Sequence, residues 1–142
     1  MILLDANLLI YARGTSLPQH AAAKKWLDEM IGGETKVGMP WPSLLGFLRV
    51  ITNRRVFTKA DSITSAWKQI EDWLSCPNVW IPMPGENHTV FLARTVADSG
   101  GSDRVPDAHL AALAIEHGLT LCSSDRDFAR FRGLKWQNPL AP

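Results

Sequence analysis

The chain has 142 residues, 46% hydrophobic and 20% charged, which suits one globular domain over 1–142 and is too apolar for a disordered chain. Fifteen Lys and Arg against fourteen Asp and Glu leave a net charge of +1, so no global field demands a nucleic-acid or membrane partner. No apolar run approaches the ~20 residues of a membrane span, the opening Met1 to Asp5 lacks the basic flank of a signal peptide, and Cys76 and Cys122 form no disulfide framework or zinc motif, so a cytoplasmic protein with reduced thiols is expected.

Ile2-Leu3-Leu4 reads as a short buried strand ending at Asp5. Asn7 to Arg13 begins a helix that Gly14 to Pro18 breaks. Ala23, Trp26, Leu27, Met30 and Ile31 follow helical spacing with one apolar face, stopped by Gly32-Gly33. Val37 to Met39 is a second strand, and Pro40 and Pro42 turn the chain. Ser43 is the expected N-cap of a helix over Leu44–Thr52, and Asp61 that of a helix carrying Ile63, Ala66, Trp67, Ile70 and Trp73.

Val79 to Ile81 is a third strand closed by Pro82 and Pro84, and Glu86 to Ala97 is helical by pattern. After the loop at Gly100-Gly101, Pro106 suits the first turn of a helix over Asp107–His117. That helix is apolar almost all round, the mark of a helix covered on both sides. Leu119 to Ser123 is a fourth strand, Asp127 to Phe131 a short helix, and Leu134 to Trp136 a fifth strand. Strands alternating with helices imply an α/β fold, a mostly parallel sheet of four to five strands with helices on both faces. Ligands of such sheets bind beyond the carboxyl ends of the strands.

Three acids belong to that edge. Asp5 follows the first strand, Asp125 follows the fourth, and Asp107 opens the most apolar helix. Each has a local alternative. Asp107 suits a helix N-terminus, worth ~0.3–1 kcal/mol. Asp125 and Asp127 suit a turn or cap before Phe128. Asp5, at the end of a buried strand, is costly to desolvate without a partner. Together they would repel one another unless a cation lay between them. Oxygen-only ligands suit Mg²⁺ or Mn²⁺, and such a centre suits phosphodiester hydrolysis. Arg126, Arg130, Arg132 and Lys135 lie near Asp125, and Arg49, Arg54, Arg55 and Lys59 form a second basic group; phosphate binding uses such residues. Trp41, Phe57 and Trp136 are candidates to stack on bases. The four histidines lack metal-ligand spacing and read as structural.

The segments Ile2-Leu-Leu-Asp-Ala-Asn-Leu-Leu-Ile-Tyr11, Val105-Pro-Asp-Ala-His-Leu-Ala-Ala-Leu-Ala114 and Leu121-Cys-Ser-Ser-Asp-Arg-Asp-Phe128 resemble, in this order, the motifs of PIN domains. The resemblance covers nearly the whole chain and runs closest to the VapC toxins of bacterial toxin–antitoxin pairs. It implies a Rossmann-like α/β/α sandwich and a Mg²⁺- or Mn²⁺-dependent endoribonuclease of structured RNA such as tRNA or rRNA. It also implies a homodimer and a VapB-type antitoxin. Residue by residue, it implies that Asp5, Asp107 and Asp125 bind metal, with Asp127 as a further catalytic acid. Asn7 and Ser124 match polar positions beside the metal. The family's usual glutamate in the helix after the second strand is missing, and Gly46 stands in its place. Asp103 is the nearest acid able to replace it; otherwise the site runs on fewer carboxylates. That departure motivates a second expectation, a PIN fold that binds RNA or an antitoxin-like peptide without cutting it.

Overall fold

The computed structural model describes all 142 residues. The elements run β1 (Ile2–Leu4), α1 (Ala6–Arg13), α2 (His20–Gly32), β2 (Val37–Gly38), α3 (Trp41–Ile51), α4 (Ile63–Leu74), β3 (Val79–Trp80), α5 (His88–Asp98), α6 (Val105–His117), β4 (Thr120–Cys122) and β5 (Trp136–Gln137). Two 3-10 turns, Ser102–Arg104 and Arg126–Arg130, precede α6 and follow β4. All five strands are parallel, in the order β3-β2-β1-β4-β5. The mostly parallel sheet expected from the strand–helix alternation is therefore wholly parallel. No helix is long and apolar enough to cross a membrane.

Alternation along the strands separates two cores. Leu4 and Cys122 point into a core of 17 buried residues shared with the helices α1 to α4. Leu3 and Leu121 point into a core of 10, built with α6 and with Phe128 and Phe131. The helix α6 buries Ala108, Leu110, Ala111, Ala112, Leu113 and Ala114 because the sheet covers one side and α5 the other. Thr95 of α5 donates its hydroxyl to the Ala108 carbonyl at 2.8 Å. Gly118 ends α6 at φ +68°, the left-handed cap that glycine adopts without strain.

Two expected caps differ in the structure. The helix α3 begins at Trp41 with Pro42 in its first turn, where a missing N–H costs nothing. Ser43 is therefore not the N-cap. It is fully buried, and its hydroxyl donates to the Leu4 carbonyl at 2.6 Å, tying α3 to the end of β1. Asp61 does not cap α4 either. Ser62 does, accepting from the Ser65 N–H at 3.1 Å. Asp61 takes Arg13 at 3.0 Å, and the rest of that guanidinium reaches Gln69 and Ser65. Ser43→Ala is expected to cost about 1–3 kcal/mol, the penalty for an unmet buried hydrogen bond, read as a lower urea midpoint.

Candidate active site

The carboxyl edge of the sheet is organised by one residue that sequence reasoning passed over. Ser123 follows β4 and is fully buried. Its backbone N–H donates to the Gln137 carbonyl and its own carbonyl accepts the Trp136 indole, both at 3.0 Å. Its hydroxyl donates to Asp5 Oδ2 at 2.7 Å. It accepts from Asn7 Nδ2 at 3.1 Å and from the Asp125 N–H at 3.0 Å. A hydroxyl has one donor and two acceptor sites, so all three are spent holding three candidate residues together. The readable signal was a hydroxyl ending an apolar strand beside the strand that carries Asp5.

Asp5 caps α1 and accepts from the Ala6 N–H at 2.8 Å. Burial raises its pKa, against the opposing bonds from Ser123 and Ala6. Asn7 also donates to Ser124 Oγ at 2.9 Å, while its own Oδ1 is buried and bonded to nothing in the chain. Asp125 caps the 3-10 turn after β4 by accepting from the Asp127 N–H at 2.9 Å. Asp107 lies in the first turn of α6. Its pKa is pushed up to about 6 by burial, then by the charges of Asp5 and Asp125, with Arg104 opposing. The structure thus brings Asp5, Asp107 and Asp125 into one electrostatic neighbourhood.

Other expected site residues sit differently. Asp127 pairs with Arg104, which holds its pKa down. Arg130 is spent within the fold, donating to the carbonyls of Ser99 at 2.7 Å and Asp127 at 3.2 Å. Arg126 is exposed. Asp103 lies exposed in the 3-10 turn before α6 and is not among the charges acting on Asp107. Gly46 has a packing reason. A Cβ there would meet the Ala6 Cβ at 3.1 Å, so α3 comes close to the first turn of α1, beside Asp5. Phe57 is in the first core, Trp41 packs on that core, and Trp136 packs on the second. His109 is turned to His88 at 3.2 Å, His88 to Glu116 at 3.2 Å, and His117 to the Met83 carbonyl.

The donor set fits a hard cation in kind: carboxylates that repel one another, with a buried amide oxygen whose lone pairs are unused. No three carboxylate, imidazole or thiolate groups make a finished cage.

Residues 2–134 match the PIN domain family model. The chain is 40% identical to VapC ribonuclease Mb2897 of Mycobacterium bovis, over 99% of this chain and 96% of that protein. It is 39% identical to ribonuclease VapC37 of Mycobacterium tuberculosis, over 99% of each. Its fold resembles VapBC2 from Rickettsia felis, solved with a promoter DNA fragment (TM-score 0.72, 18% identity, 97% of this chain and 98% of that one). It also resembles FitAcB from Neisseria gonorrhoeae (TM-score 0.70, 19% identity, 98% of each chain).

Proposed function

The chain belongs to the PIN-domain family, and from that premise we propose that it is a metal-dependent endoribonuclease, the toxin of a VapBC-type toxin–antitoxin pair. The observation that supports the reading is the charge of Asp5 and Asp125 acting on Asp107, which with burial raises its pKa to about 6. Curated relatives named as VapC ribonucleases match over almost the whole chain, and VapBC complexes share the fold. The substrate is structured cellular RNA, tRNA or rRNA. Cleavage blocks translation in the cytoplasm until a VapB-type antitoxin neutralises the toxin, which acts as a homodimer.

Asp5, Asp107 and Asp125 would hold Mg²⁺ or Mn²⁺, with Asn7 Oδ1 beside them. A divalent ion supplies an acidified water and neutralises charge building on the phosphate. The chain's own part is positional. Ser123 fixes Asp5 Oδ2 and the backbone of Asp125, and the Ala6 N–H fixes Asp5 Oδ1. The Leu4–Ser43 bond fixes α3 against the end of β1. Asp107, ionised above about pH 6, adds charge that draws the cation.

The test is total bacterial RNA incubated with antitoxin-free protein in Mg²⁺, in Mn²⁺ and in EDTA. Discrete fragments are expected with either metal and none in EDTA. Equal cleavage in EDTA would overturn the metal dependence. Gly46 favours one other reading, RNA or peptide binding without cleavage. Intact RNA under both metals, from folded protein, would select it.

A further inference from the structure

We propose that Arg104, held by Asp127 at the acidic edge, is the cation that receives the RNA phosphate, and that Asp127 is its positioning residue rather than a metal ligand. The inference rests on the ribonuclease reading and assigns its substrate contact.

Among the fifteen Lys and Arg of the chain, Arg104 is the one whose charge bears on Asp107; it also feels Asp125 and Asp127. Of the basic residues near Asp125 in sequence, Arg126 and Lys135 are exposed, and Arg130 and Arg132 are bonded elsewhere in the fold. Arg130 is bonded into the Ser99 to Gly100 turn, where Gly100 has φ +80° and a Cβ would fall 2.5 Å from Arg130 Nη1. Arg132 is paired with Asp98 at 3.0 Å.

Arg104 ends the 3-10 turn that leads into α6. It is the residue that precedes α6, with Asp107 in the first turn of that helix, and its charge acts on that carboxylate. Asp127 engages one terminal nitrogen, Nη1, and about a third of the side chain, 31%, stays exposed. A guanidinium carries five N–H donors in a planar fork. One arm grips Asp127, and a fork with donors beyond that contact suits a phosphate. Asp127, with Arg104 on one oxygen and Arg130 at 3.7 Å from the other, is committed to cations of the chain itself. Four carboxylates against Arg104 and Arg130 leave the edge net negative, so a polyanion needs both a divalent ion and Arg104 to approach.

The experiment measures affinity for bulk tRNA at several KCl concentrations in the non-cleaving Asp5→Asn background, alongside Mn²⁺ calorimetry on the otherwise wild-type chain. Arg104→Gln is expected to weaken tRNA binding about tenfold and to lower the salt slope by roughly one. Arg104→Lys should recover part of the affinity but not the fork geometry. Asp127→Asn should weaken tRNA binding less, with Mn²⁺ binding unchanged. Unchanged affinity and slope in Arg104→Gln would overturn the proposal, as would loss of Mn²⁺ binding in Asp127→Asn. Arg104-dependent tRNA binding by a protein that cleaves no RNA would sustain the contact and sink the nuclease reading alone.

Discussion

Asp5→Ala is expected to abolish RNA cleavage, by on the order of 10³-fold or more, while the domain stays folded. The size follows from removing a proposed ligand and its charge from a centre that would be worth several kcal/mol to the transition state. The fold survives because Asp5 contributes little to packing. The sheet is held by Leu3 and Leu4, and α1 by Leu8 and Leu9, all at most 1% exposed. The substitution removes the cap on Ala6 and the acceptor of the Ser123 hydroxyl, a cost of about 1 kcal/mol. Relief from burying a charge whose pKa is already raised offsets part of it. Far-ultraviolet circular dichroism and thermal melting should therefore stay close to wild type while RNA fragments vanish from the gel. Full activity in this variant would remove Asp5 from the centre. Asp5→Asn, which keeps an oxygen for Ser123, should be equally inactive.

Asp107→Asn is expected to stabilise the metal-free protein while inactivating it. Asp107 has its pKa raised from 3.8 to about 6, so the folded state binds this proton more tightly than the unfolded chain. Its contribution to stability is full below the unfolded value and declines as pH rises towards the folded one. Asp5 is shifted in the same direction. The lowered pKa values of Asp98, Glu116 and Asp127 act in the opposite sense at more acid pH, and the lowered pKa of His109 acts in the opposite sense within the same window. In EDTA the melting temperature of Asp107→Asn should thus gain on that of the wild type between about pH 5 and about pH 7.5, the difference that isolates this carboxylate. At the higher pH the variant should exceed wild type by roughly 2–4 °C for each kcal/mol relieved. Mg²⁺ or Mn²⁺ should raise the wild-type melting temperature and lose most of that effect in the variant. An Asp107→Asn melting temperature that stays parallel to wild type in EDTA between those pH values would contradict the placement of this carboxylate.

Much of the fold is legible in the chain because it depends on period and punctuation. The apolar spacing of α2 and α4, and the near-continuous apolar surface of α6, each demand a particular kind of neighbour, and the structure supplies it. The caps at Ser43 and Asp61 were misplaced for one reason. A local rule offers each side chain a bond within its own turn, whereas a carbonyl 39 residues away and a guanidinium 48 residues away win instead. The same limit holds at the candidate site. Asp5, Asp107 and Asp125 are visible because they stand at element ends. Ser123 and Arg104 owe their places to partners that no local pattern names. The glycine at position 46 is legible as a departure from the family, but its cause, the nearness of Ala6, exists only once α3 lies against α1.

The outermost strands, β3 and β5, have two residues each. Such a border exposes only one or two free amide or carbonyl groups, too few to recruit an incoming extended peptide by backbone pairing. A protein partner therefore has to be read through side chains on the helices or at the acidic edge. The same brevity guards against assembly through the sheet margins when the chain is free of any partner. Surplus chains would meet blunt borders rather than templates for fibril growth.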